Sequence, residues 1–157
     1  MIVIAIVLAV AFGVATHGSD DVARAVVAAQ ARGSQSGAPR VSPSGAPAVT
    51  SAGVAFPDLM ARQGWSAVGR REDTVSDRTV TTLIYERAGR RIAYSVVSGP
   101  PLGAPPGSRA IVGRAPAVFG FDAGSRTAVM VARGGRSVII SGLDASPSAL
   151  VRVARAP

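Results

Sequence analysis

Several residue types that carry chemistry are missing or nearly missing from this chain of 157 residues. It contains no cysteine, which excludes disulfides, thiolate metal sites, iron–sulfur clusters and cysteine nucleophiles. Its single histidine, His17, directly follows an apolar segment and lies far from any expected pocket, so a Ser-His-Asp triad is nearly excluded. Convincing carboxylate pairs for acid–base catalysis and glycine-rich phosphate loops are also lacking. We therefore expect no enzymatic activity, no metal and no cofactor.

Lysine is absent as well. All 17 basic residues are arginine, against nine acidic residues, which gives a net charge of +8. Such an excess is found in proteins that bind anionic partners such as nucleic acid, phospholipid or wall polymer. The arginines are nevertheless spread along the chain, and aromatic residues are scarce at 4%. This pattern is typical of a solvated surface in a protein whose GC-rich codons supply arginine wherever a cation is needed. We therefore expect no direct nucleic-acid binding.

Residues 1–16 are uncharged and almost wholly apolar. A helix of this length spans about 24 Å, whereas the hydrocarbon core of a bilayer is about 30 Å thick. The segment is therefore predicted to be a transmembrane helix whose true start lies upstream, in a single-pass membrane protein with its C-terminal domain outside the cytoplasm. Alternatively, it is a signal peptide whose cleavage gives a secreted protein. A buried core helix is a third alternative.

Two segments are predicted to separate this apolar helix from the folded domain. Residues 19–32 form a juxtamembrane helix in this prediction, capped by Ser19 or Asp20 and ended by Gly33. Its apolar face is mostly alanine, which favours a helix that extends into solvent over one that lies on the membrane or pairs with a partner. Residues 33–55 are predicted to be a flexible linker, because 12 of these 23 residues are Gly, Ser or Pro.

Residues 56–157 are predicted to form an extracytoplasmic α+β domain. A short leading helix is capped by Asp58 and ended by Gly64, and a C-terminal helix begins at Pro147 after a Ser146 cap. Between them, β-rich runs alternate with Gly- and Pro-rich turns, which predicts an antiparallel sheet of about six strands arranged as two β-meanders. The predicted strands are residues 65–71, 79–87, 91–98, 117–121, 127–133 and 137–141.

A set of short motifs extends from the leading helix to the end of the predicted central hairpin. The motif positions are Phe56, Pro57, Gly64, Trp65, Tyr85, Gly89, Tyr94, Gly99 and Pro100. With the Gly-Arg-Arg turn at 89–91 and the Ile-Ala-Tyr run at 92–94, they resemble the extracytoplasmic domain of actinobacterial membrane-bound anti-sigma factors. The resemblance covers roughly residues 56–155. These are structural positions, and the family pattern supplies no catalytic residue.

The resemblance implies a non-enzymatic, membrane-tethered sensor or regulatory module that acts in signal transduction. Such proteins usually hold a sigma factor through a cytoplasmic zinc-binding domain, of which this chain has no trace, so a sigma factor would be bound only through a cytoplasmic region not present in this chain. The implied partners are the membrane and an envelope protein or protease. The alternative is an independent cell-envelope protein whose Arg-rich domain binds an anionic polymer.

Overall fold

The computed structural model describes residues 22–41, 47–112 and 116–157. The predicted apolar helix 1–16 lies outside these residues, as do the first three residues of the predicted juxtamembrane helix. Among the residues described, no helix is long and apolar enough to cross a membrane.

The described chain is α+β, as the sequence predicts, with one large antiparallel sheet and short helices. The helices are α1 (residues 22–30), α2 (Leu59–Gln63) and α3 (Pro147–Ala154). The strands are β1 (Thr50–Ser51), β2 (Val54–Ala55), β3 (Ser66–Val75), β4 (Arg78–Arg87), β5 (Arg90–Val97), β6 (Arg109–Val112), β7 (Val118–Ala123), β8 (Arg126–Arg133) and β9 (Arg136–Gly142).

Two meanders make up the large sheet, whose strand order is β3-β4-β5-β9-β8-β7-β6. Strands β3 to β5 form one meander and β6 to β9 form the other, and the two join where β5 pairs antiparallel with β9. The sheet therefore has seven strands where the sequence predicts about six. The additional strand is β6, which the pattern misses because it is only four residues long and follows a Gly- and Pro-rich loop.

One face of the sheet is covered by α2, α3 and the β1–β2 hairpin. The core beneath them includes the large side chains Leu59, Trp65, Tyr94 and Leu150, which are at most 8% exposed. The ring of Phe56 packs against that of Tyr94, with ring centroids 5.5 Å apart. Trp65 is thus buried in this core, as its position after a helix-ending glycine predicts.

Helix α2 begins and ends where the sequence predicts, and α3 begins where the sequence predicts. The side chain of Asp58 accepts hydrogen bonds from two backbone N–H groups in the first turn of α2. Gly64 ends α2 in the left-handed conformation, with a φ of 70°. Ser146 caps α3, and Pro147 lies in its first turn, where a missing N–H costs nothing.

Helix α1 covers the opposite face of the sheet, where the sequence predicts a helix extending into solvent. Its buried face consists of small side chains at most 5% exposed: Val22, Ala23, Val26, Val27 and Ala29. They share a core with sheet residues that include Val80, Val97, Phe121, Met130 and Ile139. Small side chains let a helix backbone approach a sheet closely. A face of alanine and valine, which would bury little apolar area in a membrane, therefore packs well here.

Gln30, the last residue of α1, is buried and hydrogen-bonded to two central strands. Its amide nitrogen donates to Ser95 Oγ in β5 at 2.7 Å and to the Ile139 carbonyl oxygen in β9 at 3.1 Å. Its amide oxygen accepts a hydrogen bond from the hydroxyl of Ser141. Because a buried amide is costly unless its hydrogen bonds are satisfied, this network fixes the position of α1 on the sheet.

The described part of the expected linker 33–55 also contacts the sheet. Ser36 and Arg70 of the edge strand β3 exchange backbone hydrogen bonds of 3.1 Å, and β1 pairs with β2. The folded unit therefore begins before the expected boundary at Phe56. Gly/Ser/Pro-rich composition indicates chain flexibility, but it does not reveal the unpaired backbone groups that an edge strand offers to a passing segment.

Candidate functional site: an arginine-lined cleft

A cleft of about 910 Å³ opens beside α2, α3 and the β4–β5 turn. Buried side chains of Trp65 and Ile92 contribute to its lining, together with Ala145 and the 57% exposed side chain of Leu143. The volume lies at the upper end of the range for small-molecule sites. The cleft is therefore large enough for a ligand with several functional groups.

Arginine dominates the lining of this cleft. Six arginines among the described residues line it: Arg62, Arg87, Arg90, Arg91, Arg126 and Arg152. They come from α2, β4, β5, β8 and α3, so the fold brings together residues that are far apart in the sequence. Asp144 is the one acidic side chain among the described lining residues, which leaves the lining with a formal charge of +5.

The β4–β5 turn explains how two of these arginines come to lie side by side. Ala88 and Gly89 form a two-residue turn with positive φ angles of 49° and 74°, the backbone that a tight hairpin requires. The resulting register places Arg87 directly opposite Arg90. Like charges in this position are destabilising, so the hairpin carries an unfavourable electrostatic contribution that a bound anion would remove.

Several arginines elsewhere in the described chain are held by the protein itself. Arg71 forms a bidentate ion pair with Asp73, with N–O distances of 2.6 and 2.7 Å. Arg78, Arg133 and Arg136 donate hydrogen bonds to backbone carbonyl groups. These guanidinium groups hold the fold together.

The cleft arginines have far fewer partners within the protein. Arg91 pairs with Glu86 at 2.8 Å, and Arg87 donates to the carbonyl of Gln63 at 2.9 Å. For the other four, no ion pair and no side-chain hydrogen bond joins the guanidinium group to any residue that the structure describes. These four are Arg62, Arg90, Arg126 and Arg152. Converging cations without partners are the expected arrangement for a site that binds anions.

The motif residues predicted from the sequence do not form one site. Trp65 and Gly89 line the cleft, whereas Gly99 and Pro100 follow the opposite end of β5. The remaining five lie in the core beneath α2 and α3 or at the ends of α2: Phe56, Pro57, Gly64, Tyr85 and Tyr94.

The two tyrosines among the motif residues have structural roles. Tyr85 donates to the carbonyl of Pro57 at 3.1 Å, and the hydroxyl oxygen of Tyr94 accepts a hydrogen bond from Arg133 at 3.1 Å. Burial raises the pKa of both phenols above the ordinary value of about 10, so both stay protonated at neutral pH. An enclosed, protonated phenol stabilises the core and is poorly suited to act as a nucleophile.

Sequence reasoning treats the arginines as dispersed and therefore does not find the cleft. The only local signal is the cluster of three arginines at 87–91, which reads as an ordinary charged hairpin turn. The other three lining arginines reach the cleft through the packing of α2 and α3 on the sheet and through the pairing of β8 with β9. No pattern in the sequence specifies that convergence.

The described residues contain no group of three or more His, Asp or Glu side chains placed to hold a metal ion. Comparison of the chain with protein-family models, with curated proteins and with solved structures found no significant match.

Proposed function

We propose that this chain is a non-enzymatic, membrane-tethered regulatory module whose folded domain lies outside the cytoplasm. The observation that carries the proposal is the docking of α1 into the core of the domain. This helix follows the apolar N-terminal segment after only five residues, so the described element nearest to the proposed membrane anchor also belongs to the hydrophobic core.

The connection between the anchor and the domain is short in this proposal. Only residues 17–21 separate the apolar segment 1–16 from α1. Five residues reach about 17 Å even when fully extended. The domain is thus held close to the membrane as long as α1 stays on the sheet, instead of moving freely at the end of residues 33–55.

Release of α1 would change that arrangement in one step. It would expose the apolar face of the helix, break the hydrogen bonds of Gln30 and free the segment that leads to β1. An element with two distinct arrangements is what a tethered domain needs to convert an external condition into a signal. The resemblance of the motif residues to anti-sigma factors supports the same role, with any sigma factor bound on the other side of the membrane.

The experiment compares two glutamine variants of the membrane-borne protein. Gln30→Ala removes the hydrogen bonds of α1 to β5 and β9, whereas Gln35→Ala removes an exposed side chain whose amide oxygen accepts one hydrogen bond, from the Glu72 N–H of the edge strand β3. A transcription reporter for a sigma factor encoded beside this protein in the genome should respond to Gln30→Ala and not to Gln35→Ala. In a pull-down, the full chain should not retain that sigma factor. Tight, saturable binding would make this chain the inhibitor itself and would contradict the proposal.

The arginine-lined cleft favours a second candidate function. An independent envelope protein that binds an anionic polymer needs the cleft but does not need α1 to move. Gln30→Ala distinguishes the two candidates. If the protein is a regulatory module, the variant should change the signal of the transcription reporter. If it is an independent envelope protein, the variant should leave the reporter unchanged and should still bind anions.

A further inference from the structure

We propose that the arginine-lined cleft binds a chain of phosphate groups that carries no bases, such as an inorganic polyphosphate or a polyol phosphate. The inference stands apart from the membrane-tethered role, because it rests only on the lining of the cleft. It holds equally for a sensor and for an independent envelope protein.

The cleft carries more positive charge than one phosphate group can balance. The described lining residues carry a formal charge of +5, of which Glu86 balances one by pairing with Arg91. Four of the guanidinium groups are joined to no described residue by an ion pair or a side-chain hydrogen bond. A single phosphate group carries about two negative charges at most near neutral pH. Several phosphate groups are therefore needed to compensate the cleft, and they must be placed at more than one point along it.

The hydrogen-bond donors of the cleft have a geometry that suits phosphate groups. Guanidinium groups present a planar fork that matches two oxygens of one phosphate, and every cation of the cleft is of this type. Arg87 and Arg90 approach from the β4–β5 hairpin, while Arg62 and Arg152 belong to α2 and α3. Guanidinium groups on separate elements suit a ligand that presents successive phosphate groups along a chain.

The scarcity of exposed aromatic rings in the described lining favours a phosphate chain over nucleic acid. Binding of single strands relies on aromatic faces on which bases stack. Trp65 is the one aromatic residue among the described lining residues, and only 8% of it is exposed because the ring belongs to the core. A phosphate chain without bases needs no such face.

The test measures binding of tripolyphosphate and of long-chain polyphosphate to the full chain by calorimetry. The cleft variant is Arg62→Gln/Arg90→Gln/Arg126→Gln. The matched control is Arg32→Gln/Arg40→Gln/Arg109→Gln, which removes the same charge at exposed positions outside the cleft. We expect saturable binding by the wild-type protein, weakening by about a hundredfold in the cleft variant, and a change of no more than about threefold in the control.

Other outcomes would overturn the proposal. Equal losses in both triple variants would show attraction by net charge alone. Tighter binding of polyglutamate would make the ligand a carboxylate, and tighter binding of single-stranded DNA would make it a nucleic acid. Inorganic phosphate should bind more weakly than tripolyphosphate, and equal affinity would remove the argument for a chain.

A milder variant covers the case in which the triple cleft variant fails to fold. Arg126→Lys keeps the charge and removes the fork, so it should weaken tripolyphosphate binding by about tenfold. The emission of Trp65, which contacts both the core and the cleft, verifies that the variant is folded. Unchanged affinity in a folded Arg126→Lys protein would contradict the role assigned to this side chain.

Discussion

Replacement of Gln30 by alanine is the sharpest perturbation of the α1 contact. The substitution removes three hydrogen bonds, to Ser95, Ile139 and Ser141, and leaves the Ser141 hydroxyl buried without its glutamine partner. At about 1 kcal/mol per hydrogen bond, the expected loss in the free energy of unfolding is about 3 kcal/mol. Because a domain is stabilised by only about 5–15 kcal/mol, this is a large share of the total.

Two measurements on the full chain in mild detergent test this value. Urea unfolding followed through Trp65 reports on the core that lies on the opposite face of the sheet from α1. Hydrogen exchange of the amides in residues 22–30 reports on the helix itself, and its protection should fall in Gln30→Ala. The control is Gln35→Ala at an exposed position, which removes a single hydrogen bond, from the Glu72 N–H, so that the expected loss is about 1 kcal/mol or less. Equal unfolding midpoints for the two variants, with α1 already exchanging freely in the wild-type protein, would refute the docked helix.

Three further predictions concern the core and its chemistry. Trp65→Ala should lower the free energy of unfolding by about 3–5 kcal/mol, measured by circular dichroism, and a loss below about 1 kcal/mol would contradict its burial. The folded-state pKa values of Tyr85 and Tyr94 are raised above the unfolded value of about 10. The stability that they contribute is therefore complete below pH 10 and is lost above it, by up to about 2.7 kcal/mol per pH unit for the two protons, and a flat alkaline profile would argue against their burial. A chelator should leave the melting temperature unchanged, because the described residues hold no cluster of metal-ligating side chains, and a fall of several degrees would reveal a bound cation.

Local signals made much of the domain predictable from the sequence. Asp58 and Gly64 bound α2 because capping depends on residues within one turn of the chain. The β-branched run at 79–87 and the alternation through 91–98 became β4 and β5, since the strand period is visible in a single segment. The strand order within each meander follows from short turns, which force neighbouring strands to pair.

Features that depend on long-range packing were not predictable in this way. The face of α1 is a short row of alanine and valine, and nothing in that row indicates whether it meets water, lipid or a sheet. Gln30, at the end of the same helix, cannot be distinguished from an exposed polar residue in the sequence. Only the fold places Ser95 and Ser141 beside it. The cleft is similar, because its arginines stand far apart in the sequence and converge only when α2 and α3 pack against the sheet.

The most direct test of the proposed tether and its orientation uses the absence of cysteine from the chain. Ser125→Cys introduces one thiol at an exposed turn between β7 and β8, so labelling carries no background from the protein itself. Intact cells are treated with a membrane-impermeant maleimide and then fractionated with an alkaline wash. The proposal predicts that the protein is labelled before lysis and stays with the membranes. Labelling only after lysis would place the domain in the cytoplasm, and labelled protein in the medium would show that it is not tethered.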